Sequence, residues 1–127
     1  MSEQKLSLME MAEEFDVTPR TLRYYEYIEL LVPEKQGRKR LYGAAEKARL
    51  RLIMRGRRFG FALEQIRQWL ELYDPENQNR KQLEIWLEMS NEQINELKAR
   101  QDELQQAIDD MAKLQDGVRD ELSKLDN

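Results

Sequence analysis

Along the first half of the chain, apolar positions fall into short clusters at helical spacing; along the second half they form one long stripe. Leu8, Met11, Ala12 and Phe15 recur about once per helical turn behind Ser7, which suits an N-cap, and Glu10 stands three residues on to complete a capping box. Residues 16–17 make a short turn into a second helix. Thr18 is a good N-cap there, and Pro19 fits the first helical position, where its missing N–H costs nothing. Leu22, Tyr25 and Ile28 form a narrow inward stripe, which leaves Arg20, Thr21, Arg23 and Tyr24 on other faces. Two short helices joined this way predict a helix-turn-helix.

Helical periodicity is lost over residues 29–43, ELLVPEKQGRKRLYG. Pro33 favours an extended residue before it and Gly37 marks a turn, so residues 30–32 and 40–42 are expected to pair as a hairpin. Its tip carries Lys35, Arg38, Lys39 and Arg40. A third helix is expected over 43–59, closed by Gly60, with Leu52 against Ala48 and Leu50 against Ile53. A fourth is expected over 62–73, with Leu63, Ile66, Leu70 and Tyr73 facing inward and Trp69 beside them. Residues 74–79, DPENQN, are a polar break.

Beyond that break the period becomes that of a coiled coil. Positions 83, 87, 90, 94, 97, 101, 104, 108, 111, 115, 118, 122 and 125 alternate steps of four and three, and ten of the thirteen are apolar. The seam includes Leu83, Leu87, Ile94, Leu97, Leu104, Ile108 and Met111. Gln101 and Gln115 interrupt it, as polar positions that fix register or partner number do. Such a seam cannot be buried against a small head, so it calls for a partner helix. Gly117 is expected to break the helix. The expected division is a winged helix-turn-helix head over 1–74, a linker over 75–79, a coiled-coil dimerisation helix over 80–116 and a short tail over 117–127. The fold class is mainly α.

Charge sharpens this division. The 127 residues carry a net −4, but residues 1–70 carry +4 and 71–127 carry −8; within 20–67 the balance is +8. The basic part is the candidate polyanion surface. A short helix with two arginines, a hydroxyl and aromatic rings at its N-terminal end suits reading of DNA, because its N–H groups attract phosphate and arginine can bond guanine edges in pairs. The same residues also suit a capped surface helix, and the arginines of 47–58 suit either phosphate contact or solvation.

Cysteine and histidine are both absent, which removes disulfides, thiolate metal sites and histidine-based catalysis. There is no glycine-rich phosphate loop and no calcium loop. No metal, no cofactor and no enzymatic activity are therefore expected. With no long apolar run and no leader pattern, no membrane association is expected, and the expected location is the cytoplasm.

The runs RTLRYYE, ELLVP, GRKRLY and RRFGFALEQI, in this order over residues 6–73, resemble the DNA-binding domain of the MerR family of transcription regulators. The long helix that follows is also that family's arrangement. The resemblance implies a homodimer on a two-fold symmetric, double-stranded promoter site, with long helices paired antiparallel, DNA distorted, and RNA polymerase as a partner. It implies base contacts from Arg20, Thr21, Arg23 and Tyr24, a role for Tyr25 shared between core and phosphate, and phosphate contacts from Arg38, Lys39, Arg40 and Tyr42 in the wing. Metal-sensing relatives use cysteines that this chain lacks. Glu29 stands where the family often has Gly, so a relaxed left-handed C-cap is not expected there. Gly43 and Ala62 replace the usual Ser or Thr caps. The same head also suits an architectural or excision-type DNA protein, and a basic head on a coiled coil suits an adaptor for an acidic protein.

Overall fold

The computed structural model describes residues 4–127 as two compact units that divide after Pro75. The first unit holds α1 (Leu8–Glu14), α2 (Pro19–Tyr27), β1 (Glu34–Gln36), β2 (Lys39–Leu41), α3 (Ala44–Arg58) and α4 (Leu63–Leu70). A 3-10 turn (Pro75–Asn77) spans the division, and the second unit holds α5 (Arg80–Leu125). The winged helix-turn-helix and the long helix are thus both present.

Caps fix where the first helices begin. Ser7 accepts the Glu10 N–H while the Glu10 carboxylate accepts the Ser7 N–H, so both halves of the expected capping box form. Thr18 accepts the Thr21 N–H at 3.1 Å, with Pro19 in the first turn of α2. At Ala62 only half a box is available: Gln65 Oε1 accepts the Ala62 N–H at 2.9 Å, and alanine offers nothing in return.

The ends of α1, α2 and α3 are all Schellman turns, with Asp16 (φ 53°), Glu29 (φ 64°) and Gly60 (φ 94°) in the left-handed region. After α1, Val17 N–H reaches the Ala12 carbonyl; after α2, Leu30 N–H reaches that of Tyr25 at 2.8 Å; after α3, Phe61 N–H reaches that of Gly56. Each turn reverses the chain within three residues and drops an apolar side chain back onto the helix. Leu30 is fully buried this way. Glu29 therefore does make the left-handed cap that its side chain argued against. Burial of Leu30 at about 1.5–3 kcal/mol outweighs the roughly 1–2 kcal/mol cost of a left-handed non-glycine residue.

The head core is Met11, Ala12, Leu22, Leu30, Leu31, Tyr42, Leu50 and Ile53, continued by Phe61, Ile66 and Leu70. α1 packs on α2 and β2, and α3 packs on α4. Gly56 makes the second approach close, since a Cβ there would lie 2.8 Å from Ile66 Cδ1. Leu50 and Ile53 are buried as expected, whereas Leu52 and Ala48 face outward. Tyr73 is 66% exposed and lies beyond α4, which stops at Leu70.

The first strand of the hairpin lies four residues further along the chain than expected, and the second only one residue earlier. Glu34 pairs with Leu41, Lys35 with Arg40 and Gln36 with Lys39, so residues 30–32 are not a strand. Leu30 and Leu31 are instead drawn into the core by the turn after α2. Gly37 (φ 62°) takes the first central position of a two-residue loop, the site where a type II′ hairpin requires glycine. Leu6 adds an antiparallel bridge to Tyr42 through two hydrogen bonds of 2.9 and 2.8 Å.

α5 is one unbroken helix of 46 residues, about 69 Å at 1.5 Å per residue. It passes through Gly117 without the expected break. A glycine costs about 1 kcal/mol inside a helix, too little to halt one supported on both sides. Nothing lies within 4 Å of a Cβ built on Gly117.

At position 29 glycine is thus absent where the backbone favours it, and at position 117 it is present where the backbone does not. Glu29→Gly should stabilise the head by about 0.5–1 kcal/mol, the relief of left-handed strain exceeding the added freedom of the unfolded chain. Gly117→Ala should raise the helicity and stability of α5 by up to about 1 kcal/mol. Urea unfolding followed by circular dichroism reads both, and a loss of stability in either variant contradicts the account given for that position.

Candidate nucleic-acid interface

The N-terminal half of α2 carries the expected reading residues outward. Arg20 and Arg23 are exposed, and Tyr24 is 50% exposed. Thr21 is half-buried, and its hydroxyl lies 2.9 Å from that of Thr18, inside the cap. Tyr25 is half-buried with its ring 6.3 Å from that of Tyr24, which places it between core and surface.

The hairpin is held to α2 by one carboxylate. Glu26, with 14% of its side chain exposed, meets Arg40 Nε at 2.5 Å and Lys35 Nζ at 3.3 Å. Lys35 and Arg40 face each other across β1 and β2, so a single acidic group from α2 collects both cations of one strand pair. Arg40 is thereby committed within the protein, while Arg38 and Lys39 stay exposed at the loop. A second ion pair, Lys5 to Glu34, joins the chain before α1 to β1. That bond to Lys5 lowers the Glu34 carboxyl below its ordinary range.

Tyr42 does not join the exposed set. It is fully buried, and its hydroxyl has no hydrogen-bond partner. The bridge to Leu6 turns this end of the hairpin inward, so Tyr42 is a core residue and not a phosphate contact on this surface. Burial raises its phenol above the ordinary value of 10.0; the Glu26 and Glu46 carboxylates push the same way, and Arg40 opposes them.

Most of the basic residues of α3 are engaged internally. Arg49 Nε donates to the Leu30 carbonyl at 2.5 Å, Lys47 Nζ to the Gln4 carbonyl at 3.4 Å and Arg57 Nη1 to the Phe61 carbonyl at 3.3 Å. The Arg51 guanidinium lies 5.5 Å from the centre of the Phe15 ring. Arg55 and Arg58 are exposed. Glu46 accepts the Val32 N–H at 2.8 Å, so α3 holds the segment after α2 through an acid as well as through Arg49. Glu26, Glu46 and Arg49 are the positioning residues that sequence reasoning missed. Their signal is faint: two acids among many bases, and one arginine among several on the same helix. Among the described residues no group of three or more Asp and Glu side chains is placed to hold a metal ion, and no helix is long and apolar enough to cross a membrane.

Tyr42→Phe removes a buried hydroxyl that makes no bond, and should leave stability unchanged or raise it by about 1 kcal/mol. In the native sequence the folded phenol ionises later than the unfolded one, so stability holds below about pH 10 and falls as the pH rises past it. Thermal melts of both proteins between neutral and strongly alkaline pH read the difference. A native protein no more alkali-sensitive than the Phe variant contradicts the burial.

Known proteins match both parts of the chain. The family model described as MerR HTH family regulatory protein matches residues 6–73, and that described as MerR, DNA binding matches 47–114. The HTH-type transcriptional regulator ZntR of Escherichia coli (strain K12) is 34% identical over 110 residues, 84% of this chain and 76% of ZntR. The crystal structure of MtaN, the N-terminus of the Bacillus subtilis multidrug transporter activator, superposes with a TM-score of 0.54 at 32% identity, covering 83% of this chain and 95% of MtaN. That of HiNmlR, a MerR family regulator lacking the sensor domain and bound to promoter DNA, gives a TM-score of 0.63 over 84% of this chain and 83% of HiNmlR; at 22% identity it speaks for the fold alone. With an exposed, capped second helix, a basic hairpin clamped to it and a family match that runs from the head into α5, the chain belongs to the MerR family of helix-turn-helix transcription regulators.

Proposed function

We propose that this regulator binds a two-fold symmetric promoter site as a homodimer, reading bases with α2, anchoring on phosphates with its hairpin and distorting the DNA between. The observation that carries the reading is the Glu26 clamp, which puts exposed Arg20, Arg23 and Tyr24 on one rigid body with exposed Arg38 and Lys39. Arg23 and Arg20 are the guanine readers, able to form paired bonds to one base. Thr21, its hydroxyl shared with Thr18, contributes from the edge of the cap, and Tyr25 backs Tyr24. Arg38 and Lys39 take phosphates. RNA polymerase is the protein partner at the promoter and the cytoplasm the place of action.

The second copy is recruited along α5. Leu83, Leu87, Ile94, Leu97, Leu104, Ile108 and Met111 are all exposed on the single chain, with Leu87 at 69% and Met111 at 65%. Gln101 interrupts them as the polar position of the seam. Two heads on one dimer make the second DNA contact intramolecular, which raises avidity by about 10²–10⁴ where the geometry fits. With neither cysteine nor histidine in the chain, any inducer is organic or a partner protein, not a thiophilic metal ion.

Arg23→Ala should cost about 1–3 kcal/mol and flatten the base preference, whereas Lys39→Ala should weaken all sequences alike and reduce the salt slope by about one. Anisotropy with a panel of labelled promoter duplexes at several salt concentrations separates the two; an unchanged preference profile in Arg23→Ala refutes the reading-helix assignment. Ile94→Asp should leave a monomer whose specific binding is weaker by about 10²–10⁴. Stoichiometric Zn²⁺ should leave affinity within about twofold, and tight specific zinc binding by calorimetry would falsify the view that the inducer is not a metal.

A further inference from the structure

For the antiparallel pairing of long helices that the family resemblance implies, we infer one register, with Ser90 of each α5 facing Gln101 of the other. The inference rests on the homodimer reading and gives that dimer a defined alignment. In an antiparallel pair, positions of the two seam classes share layers, and alternative alignments differ by whole heptads. With Ser90 opposite Gln101, the neighbouring layers are Ile94 with Leu97, Leu87 with Leu104, and Leu83 with Ile108. Every one is apolar, and the two polar seam residues within 83–111 meet each other.

Neighbouring alignments lose this match. Sliding by one heptad puts Gln101 opposite Leu97 and Ser90 opposite Ile108. Sliding by two pairs Ser90 with Gln115 but sets Gln101 against Leu104 beside the two-fold axis. Symmetry repeats each mismatch, so a carboxamide is buried against leucine twice. Charge favours the same alignment. Arg80 and Lys81 of one helix come alongside Asp109 and Asp110 of the other, at both ends of the overlap. Sliding by two heptads instead brings Lys81 to Lys124. A parallel pair would lay residues 101–127, net −5, against themselves. The overlap spans residues 80–111, inside the stretch of α5 that matches the family model, which ends at 114.

The chain has no cysteine, so thiols can be introduced without background. Ser90→Cys with Gln101→Cys in the full chain should give a covalent dimer on mild oxidation, seen on a non-reducing gel. Either single variant should not, because its two thiols lie about 16 Å apart along the axis, eleven residues at roughly 1.5 Å each. Cross-linking of Ser90→Cys alone means a parallel pair and overturns the inference. Preferred cross-linking of Ser90→Cys with Gln115→Cys overturns it in favour of a two-heptad slide, and so does failure of all the thiol pairs in a protein that remains dimeric. Sedimentation under reducing conditions keeps the two readings apart: a monomeric native chain refutes the homodimer itself, whereas a dimer with the wrong cross-link refutes only the register. A second measurement avoids thiols. Lys81→Glu should weaken self-association about two- to fivefold, and adding Asp110→Lys should restore it; absence of restoration counts against the alignment.

Discussion

The carboxylate of Glu26 is where the reading helix and the hairpin become one object. Two cations from opposite strands converge on it, and only a small part of its side chain remains in contact with water. Removing it would leave Arg40 half-buried with its charge uncompensated, and the hairpin would lose its ionic tie to α2. The clamp also divides the basic residues by task. Lys35 and Arg40 spend their charge inside the protein, whereas Arg38 and Lys39, at the loop, keep theirs for a ligand. A net charge of +8 over residues 20–67 therefore overstates the phosphate surface. A rigid helix–hairpin pair loses little conformational freedom on binding, which favours affinity from a small contact area.

The same economy of parts governs the turns. Three helices in succession end in left-handed caps, and each cap returns a residue to the helix it has just left. Asp16 tolerates the left-handed region through its short polar side chain, Gly60 does so freely, and Glu29 does neither. At Glu29 the fold overrides local preference because Leu30 and Leu31, immediately after it, are core residues. Arg49 then closes the arrangement by donating to the Leu30 carbonyl, so α3 holds the exit from α2 from the far side.

What the sequence made legible follows from how local each signal is. The caps at Ser7 and Thr18 are contacts within four residues, and the coiled-coil seam is a repeat sustained for more than forty; neither depends on anything distant. The first strand of the hairpin, Glu34–Gln36, lies four residues beyond the expected 30–32 because it is exposed at every position and shows no alternation. Leu30–Val32 has the better strand composition, and tertiary packing takes its leucines for the core. Tyr42 was misassigned for a related reason: its burial is decided by a bridge to Leu6, thirty-six residues away, which no local pattern reports. Leu52 and Tyr73 sit at plausible helical spacings, but the partners that would cover those faces are absent from the head.

α5 presents the opposite situation, in which local structure is certain and its environment must come from outside the chain. A 46-residue helix with exposed leucines along one stripe gains little from its own backbone; amphipathic helices of this kind draw their stability from the surface they cover. The polar seam residues restrict which surface that is. Ser90 and Gln101 would each cost stability against leucine and cost far less against one another, so the same side chains that weaken the seam also select its alignment. Alignment in turn fixes the distance between the two N-termini of α5, so two uncharged side chains set the geometry of the whole helix pair.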